Sequence, residues 1–360
     1  MKTRYAIARD IHGWTGAVLA ALLLLIAVTG TLLVFKDDYL RATLPQAAAS
    51  ADLSPDALIS ATQAAEDAFG TDSLRVLVFA TDDLGVHKAY LKTGRSAYLD
   101  ASGAVIARWD ENGRFEDWLF DLHHRLLLGD LGLLVAGLSG LAGSVLVLTG
   151  LYAVWPMRLG LRRGLKITQA TRLQLRSLHR NLGVIACLPV LILLLTGAAL
   201  SFPAESRALF DRFGGPEAVA PPTHPSGAVN WDAGFAGAQR AFPDAAPRMA
   251  IWPRDGGAPS LRLKQPGEWH PNGRSYVHFA PDRIVVQDAL SLGAGREAFN
   301  ALYPLHAGKA GSGLYKGLTA LFGLAVSALS LIGLVSFAKR FRPPSLKRAA
   351  RLRRVHDPDF

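Results

Sequence analysis

The stretch Ile11-His12-Gly13-Trp14-Thr15-Gly16 opens an apolar run that continues to Phe35. A run of about 20 apolar residues is what the hydrocarbon core of a bilayer requires of a helix. The run therefore predicts a membrane-spanning helix with one histidine at its entrance. The segment Leu178-His179 repeats this pattern, and a Thr-Gly pair follows each histidine at the same distance. These pairs are Thr29-Gly30 and Thr196-Gly197.

Four apolar runs are long enough to cross a membrane. Half of the 360 residues are hydrophobic, and they are clustered rather than spread along the chain. The runs are Ile11–Phe35, Gly129–Trp155, Leu182–Phe202 and Gly313–Phe337. With their histidine entrances, they predict spans at residues 11–35, 121–155, 179–202 and 304–337.

The formal net charge of +10 is concentrated in three segments. Basic residues cluster in the N-terminal tail (1–10), a linker (156–178) and the C-terminal tail (338–360). Four spans place these segments on one side of the membrane, and the positive-inside rule makes that side cytoplasmic. Topology thus accounts for the basic excess and argues against nucleic-acid binding. Residues 36–120 and 203–303 are predicted on the opposite, periplasmic side.

The single cysteine, Cys187, lies in the third predicted span. One cysteine excludes a disulfide framework, a cysteine-rich zinc site and a CxxCH haem-attachment motif. The first apolar run is too long for the h-region of a signal peptide, so we expect an uncleaved membrane anchor.

Each extracytoplasmic segment has the pattern of one helix followed by four short strands. In the first, Ser54 caps a helix that starts at Pro55 and ends at Gly70. Turn signals then separate the predicted strands Leu74–Ala80, Val86–Leu91, Ser96–Asp100 and Ala104–Trp109. The second segment repeats this order with a helix at Trp231–Phe242 and strands at Arg248–Trp252, Ser260–Lys264, Ser275–Ala280 and Arg283–Gln287.

The repeated order predicts the fold class. We expect a membrane all-α four-helix bundle with two small periplasmic α+β modules, formed by tandem duplication of a span–module–span unit. The two copies are about 1–155 and 170–337. Duplicated membrane units commonly place their functional site between the repeats.

Aligning the copies matches His12 with His179 and His123 with His306. The separation of His123 from Gly150 equals that of His306 from Gly333, which selects His123 over its neighbour His124. With the N-terminus inside, the first two histidines enter the membrane from the cytoplasm and the other two from the periplasm. The sequence therefore predicts one histidine pair near each surface.

An ionisable side chain at membrane depth needs a partner, and two facing imidazoles satisfy this need by binding one metal. No cluster of Cys, Asp or Glu lies near these histidines to complete a tetrahedral zinc site. A porphyrin supplies the other four ligands itself, so we predict two b-type haems, each held non-covalently by two histidines. The alternative for a single histidine is an interfacial anchor or a helix cap.

Small residues along the spans would let a flat macrocycle approach, although tight helix packing explains each of them equally well. They include Gly16, Gly132, Gly137, Gly140, Gly183 and Gly323. The remaining histidines outside the C-terminal tail, which holds His356, are predicted to be surface or loop residues, and His270 and His278 are candidates for substrate contacts. This group comprises His87, His124, His224, His270 and His278.

Four motifs together resemble the PepSY-associated transmembrane family. They are the stretch from Ile11 to Gly16, Leu122-His123-His124-Arg125-Leu126-Leu127-Leu128-Gly129, Leu178-His179-Arg180-Asn181-Leu182-Gly183 and Pro304-Leu305-His306-Ala307-Gly308-Lys309. The similarity runs through nearly the whole chain, and the α+β modules look like PepSY domains. The resemblance implies that His12, His179, His123 and His306 are axial haem-iron ligands, with His124 as the alternative to His123.

Members of this family are inner-membrane proteins linked to iron and siderophore uptake, and some are di-haem reductases of ferric siderophores. The resemblance therefore implies a multi-pass inner-membrane protein that takes electrons from a cytoplasmic or quinol donor and reduces a ferric siderophore in the periplasm. Reduction releases iron because Fe(II) is the softer ion. The sequence has no strand-associated G-x-G-x-x-G motif, so we do not expect it to bind NAD(P)H or FAD itself.

Two other interpretations stay open. A non-enzymatic membrane protein could use PepSY-like modules to bind or inhibit a periplasmic partner, and it would be colourless. A cytochrome b subunit of another oxidoreductase would be coloured but would not reduce ferric chelates alone.

Overall fold

The computed structural model describes residues 4–154, 171–214, 222, 229–252, 257–280 and 283–341. Within these residues the helices are α1 (Arg4–Leu33), α2 (Lys36–Thr43), α3 (Pro55–Phe69), α4 (Phe115–Arg125), α5 (Gly129–Val154), α6 (Arg172–Ser201), α7 (Pro203–Asp211), α8 (Trp231–Ala241), α9 (Gly293–His306) and α10 (Gly313–Ala338). The strands are β1 (Leu74–Val78), β2 (His87–Leu91), β3 (Ser96–Leu99), β4 (Val105–Trp109), β5 (Ala246–Ile251), β6 (Ser260–Lys264), β7 (Ser275–Phe279) and β8 (Ile284–Gln287). Most of the predicted linker 156–178 and of the tail 338–360, together with His224, lies outside the described residues.

In the described part of the chain, four helices, α1, α5, α6 and α10, are long and apolar enough to cross a membrane. Helix α1 packs against α5 and α10, and α6 closes the ring by packing against the same two helices. Many of their outward-facing apolar side chains, such as Val18, Leu148, Leu188 and Leu324, are exposed. Such exposure matches a lipid environment, and the chain is a multi-pass membrane protein.

The second and fourth spans begin later than predicted, at Gly129 and Gly313 instead of residues 121 and 304. Helix α4 ends because Leu126 and Leu127 have φ values of 53° and 58°, which lie in the left-handed region and cannot continue a right-handed helix. His123 and His306 therefore lie on the short helices α4 and α9, just before the spans. Conversely, α6 begins inside the predicted linker, at Arg172.

All eight predicted strands form, but they make one sheet rather than two separate modules. The antiparallel order is β4-β3-β2-β1-β5-β6-β7-β8. At its centre, Val76 to Val78 of β1 pair with Met249 to Ile251 of β5. Pairing removes an unsatisfied edge from each half, which is the physical reason that the two segments join.

One face of the sheet is covered by α3 and α8, which bury a single apolar core spanning both halves. Inside it the Glu66 carboxylate on α3 accepts hydrogen bonds from the indole nitrogens of Trp231 and Trp252, at 2.9 and 2.8 Å. Charge-assisted bonds of this kind are about twice as strong as neutral ones. Glu66 therefore links the two halves of the sheet.

The opposite face of the sheet contacts α4. The Lys88 Nζ on β2 lies 2.6 Å from Asp117 Oδ1 on α4, and the Tyr98 hydroxyl donates to Glu116 at 3.1 Å. Arg114 forms an ion pair with the same Glu116. Burial lowers the pKa of Lys88, which the two neighbouring carboxylates counteract. The basic groups beneath this half of the sheet are thus neutralised by acids on α4.

The prediction that His87 and His278 are surface or loop residues is wrong, because both lie on strands and are buried. His270 lies in a loop as predicted, between β6 and β7, but it is also buried. His87 is 0% exposed, and its Nδ1 accepts a hydrogen bond from the Ala80 backbone N–H at 3.1 Å. Its position on β2 places it on the core face, where alternation in a strand directs every second side chain.

Acid is expected to destabilise the sheet through His87. Burial lowers the pKa of His87 from 6.5 to about 4, so below pH 6.5 the unfolded chain binds a proton that the native state excludes. Stability is complete above the unfolded pKa and falls as the pH drops toward 4, by about 2 kcal/mol between pH 7 and pH 5. His87→Gln should flatten this dependence in thermal unfolding followed by tryptophan fluorescence. Equal pH dependence in both proteins would contradict the assignment.

Candidate functional site

The four span-entrance histidines form two facing pairs. His12 and His179, the far-side pair, have ring centroids 6.0 Å apart and an interplanar angle of 69°. His123 and His306, the sheet-side pair, have centroids 6.1 Å apart and an angle of 33°. The His124 ring instead lies against Phe120, at 5.3 Å. The structure thus brings together the residues that the sequence alignment of the copies matched.

The two pairs lie at opposite ends of the bundle. His12 is close to the start of α1, whereas His123 contacts the same helix at Ile26 and Thr29. At 1.5 Å per residue, these positions are separated by about 21–26 Å along the helix axis. This separation is a large part of the roughly 30 Å hydrocarbon thickness of a bilayer.

Each of the four imidazoles is held by a backbone carbonyl of a neighbouring span. The Nδ1 atoms of His12, His123, His179 and His306 lie 3.0, 2.9, 3.0 and 3.1 Å from the carbonyl oxygens of Leu146, Ile26, Leu329 and Leu193. A carbonyl oxygen only accepts, so Nδ1 carries the proton and Nε2 keeps its lone pair. Fixing the tautomer in this way leaves Nε2 ready to bind a metal.

A glycine follows each accepting carbonyl by four residues and lies against the bound ring. A Cβ on Gly30, Gly150 or Gly197 would come within 2.6, 2.8 or 2.7 Å of the Cε1 of its histidine, and a Cβ on Gly333 within 3.3 Å. Real Cβ atoms do not approach other atoms closer than 3.0 Å. The absence of a side chain is therefore what allows the ring to reach the carbonyl.

A threonine precedes three of these four glycines and supports the same imidazole. The hydroxyls of Thr29 and Thr196 lie 3.2 Å from the Nδ1 of His123 and His306, and Thr149 Oγ1 lies 3.4 Å from His12 Nδ1. Ile332 occupies the fourth position. The Thr-Gly pairs were visible in the sequence as a repeated spacing, but their role as a histidine cradle was not predicted.

The residues present fit a bis-histidine haem better than a purely protein-bound metal. Within the described residues, no group of three or more His, Cys, Asp or Glu side chains could hold a metal ion. A metal bound to two imidazoles at about 2 Å each holds the nitrogens about 4 Å apart. Centroids 6.0 and 6.1 Å apart are compatible with this spacing for rings whose Nε2 atoms face each other, because each centroid then lies one ring radius behind its nitrogen.

The glycines considered as haem contacts divide into two groups. A Cβ on Gly132, Gly137, Gly140 or Gly323 would meet a neighbouring helix or turn at 1.5 to 3.1 Å, which is tight packing. A Cβ on Gly16 would meet nothing within 4 Å, and one on Gly183 would make ordinary contact at 3.7 Å. Gly16 and Gly183 each lie one helical turn after a far-side histidine, and they keep open space there.

Removing one threonine should loosen the sheet-side site. Thr196→Val deletes one of the two acceptors near His306 Nδ1, and outer contacts of metal-binding histidines typically contribute 10- to 100-fold to metal affinity. If the sheet-side pair holds a haem, we expect the transfer of this haem from the purified protein to an excess of a haem-binding acceptor to become about tenfold faster. Ile332→Val is the matched control, because no hydroxyl is lost there.

His270 and His278 belong to neither pair, although His270 contacts α9, the helix that carries His306. The His270 ring stacks on Tyr303 of α9 at 5.0 Å, and its Nδ1 is 3.2 Å from an Arg262 Nη2. Burial, followed by the charges of Arg274 and Arg262, lowers the pKa of His270 to about 2. His278 stacks on Tyr276. His278 lies on strand β7, whereas His270 lies in the loop between β6 and β7.

The sequence matches the family described as PepSY-associated TM region over residues 9–340. The matched region contains all four paired histidines and their carbonyl, threonine and glycine contacts. Among curated proteins, none matches the sequence.

Proposed function

The chain belongs to the PepSY-associated TM family, and we propose that it is an inner-membrane b-type di-haem electron-transfer protein that reduces ferric siderophores. The electron donor is a cytoplasmic carrier or a quinol, and the acceptor is a ferric siderophore in the periplasm. The enzyme class is an oxidoreductase acting on iron.

The observation that carries the proposal is the presence of two facing histidine pairs at opposite ends of one bundle, with every Nδ1 bonded to a carbonyl. Four independent histidine anchors would not require the same contact four times. A shared ligand role explains it, because axial imidazoles are commonly oriented by a hydrogen bond from their second nitrogen.

In this proposal His12 and His179 hold one haem, and His123 and His306 hold the other. Haem supplies one-electron transfer when it is bound between two histidines. The protein orients the imidazoles, keeps their Nε2 atoms unprotonated and surrounds them with apolar helices that exclude water. Two carriers at different depths divide a distance of about 30 Å into shorter transfers.

The orientation follows from the distribution of charge. Basic residues concentrate at 1–10, 156–178 and 338–360, which places both termini in the cytoplasm under the positive-inside rule. The far-side pair then lies near the cytoplasm, and the sheet lies in the periplasm. We interpret the sheet as two PepSY-like halves produced by tandem duplication, because its strand order is symmetric about the β1–β5 pair.

The test is an absorption spectrum of the detergent-purified chain, oxidised and then reduced with dithionite, with haem measured per chain. We expect two b-type haems, and oxidation of the reduced protein on addition of a ferric siderophore. A colourless protein from haem-replete cells would refute the proposal and favour the non-enzymatic binding protein. A coloured protein that ferric chelates do not oxidise would favour a cytochrome b subunit of another enzyme.

A further inference from the structure

A small cavity lies between α7, α9 and the second half of the sheet. Its volume is about 180 Å³, and its polar lining comprises Arg207, Arg274, Arg296, Tyr276, Gln287 and Asn300. Tyr276 alternates with the core residue Val277 on β7, so the cavity lies on the face opposite α3 and α8. Three guanidinium groups at one small cavity repel one another, and a negative charge nearby would offset this repulsion.

Among the described residues, a carboxylate pairs with one of these three arginines. Arg296 pairs with Asp211 at 2.9 Å. Within the described part of the chain, neither Arg207 nor Arg274 has a carboxylate at ion-pair distance, and the Nε of Arg274 is buried without a hydrogen-bond partner. Leaving a buried charged donor unpaired is costly, so a missing acceptor is indicated.

Two other groups near these arginines do not fill that role. Arg207 lies over the Phe299 ring, with its Cζ 5.3 Å from the ring centroid. The Glu268 carboxylate accepts from the backbone N–H of Arg274 and from the Ser275 hydroxyl rather than from the guanidinium. The cavity therefore keeps a net positive lining.

The first half of the sheet shows what balances such charges. There Glu116 and Asp117, which lie seven and six residues before His123, pair with Arg114 and Lys88. The positions seven and six residues before His306 hold Phe299 and Asn300, which carry no charge. The second half of the sheet therefore lacks the two acids that form ion pairs with the basic side chains in the first half.

We propose that this cavity binds an oxyanion, the carboxylate or phosphate group of a small molecule or of a lipid headgroup. Its volume of about 180 Å³ is below the roughly 300–1,000 Å³ of a drug-sized pocket, so only the anionic end of a larger molecule enters. Arginine suits this task because its planar guanidinium binds carboxylate or phosphate oxygens bidentately. Asn300 and Tyr276 add neutral donors.

Calorimetric titration of the full chain in detergent with inorganic phosphate and with citrate tests the site for free anions. We expect Arg207→Gln and Arg274→Gln to weaken binding about tenfold or more. Asn300→Asp introduces an acid at the position that Asp117 occupies in the first half. Its carboxylate would supply the negative charge from within the protein, so it should weaken anion binding similarly. Arg240→Gln removes an exposed arginine on α8, across the sheet, and should bind like the wild type.

Counting anionic lipid that remains bound to the purified chain, by mass spectrometry, tests the lipid source. A lipid occupant would be retained by the wild type and by Arg240→Gln but lost from Arg207→Gln, Arg274→Gln and Asn300→Asp. If these three variants match Arg240→Gln in both assays, the site is refuted. Both assays measure binding and not electron transfer, so this outcome would leave the haem proposal untouched.

Discussion

Under the proposed di-haem function, His179→Ala is expected to lower the haem content of the purified chain from two to one. The substitution removes one of the two imidazoles of the far-side pair, whose centroids lie 6.0 Å apart, and the remaining histidine leaves one axial position empty. Losing one of its two axial bonds weakens the hold on a haem that has no covalent attachment, so we expect this haem to be lost during purification. His306→Ala should remove the other haem, since it belongs to the sheet-side pair.

Haem extraction per chain, combined with reduced-minus-oxidised spectra, measures this loss. The double variant His179→Ala/His306→Ala should contain no haem, whereas His12→Ala/His179→Ala should still contain one. His124→Ala is the matched control, because His124 is adjacent to His123 but packs against Phe120. If every single variant retained two haems, the ligand assignment would be wrong.

The second large effect concerns a residue with no side chain. Gly197→Ala is expected to reduce the sheet-side haem severely, because the new Cβ would lie 2.7 Å from His306 Cε1. The ring must then move away from the Leu193 carbonyl, which it now approaches to 3.1 Å. The helix itself does not suffer, since alanine is favoured over glycine in a helix interior by about 1 kcal/mol.

Alanine substitutions at two further glycines, measured in the same haem assay, should cause smaller losses of haem than Gly197→Ala. Gly333→Ala should cause a smaller loss at the far-side pair, because its Cβ would be 3.3 Å from His179 Cε1. Gly13→Ala, beside His12 in the chain, should cause none, since nothing lies within 4 Å of its Cβ. If Gly13→Ala lost as much haem as Gly197→Ala, general helix disruption would be the better explanation.

The long apolar runs and the short strands could be predicted from the sequence because their signals are local. About 20 apolar residues suffice to predict a span, and alternation between turn signals suffices to predict a strand. The pairing of the histidines also followed, since duplicated spacing places His12 level with His179 and His123 level with His306. These pairings require no knowledge of side-chain contacts.

The contacts that hold the rings could not be predicted in the same way. In the sequence, Gly30 and Gly197 show only an equal spacing from His12 and His179, because a sequence does not show which neighbouring helix brings a carbonyl to a histidine. Helices α4 and α9 were merged with the spans for a related reason. The break after α4 depends on positive φ values at Leu126 and Leu127. Leucine rarely adopts positive φ, so the sequence does not predict a break there.

The joining of two modules into one sheet is a long-range event. Strands β1 and β5 pair through Val76 to Val78 and Met249 to Ile251, and nothing within either segment specifies that partner. The burial of His87 follows from the same sheet, whose core is completed by Trp231 and Trp252 from the other segment. The sequence of the first segment alone therefore could not predict that His87 is buried.

The central β1–β5 pair also constrains biogenesis. Strand β1 ends at Val78 and its partner begins at Ala246, about 170 residues later. At about 5–20 residues per second, the ribosome needs on the order of ten to thirty seconds to supply β5 after β1 has emerged. During this interval two spans must insert while a nascent half-sheet presents an open edge. Until β5 pairs with it, the open edge of β1 is therefore a site at which newly made chains can aggregate.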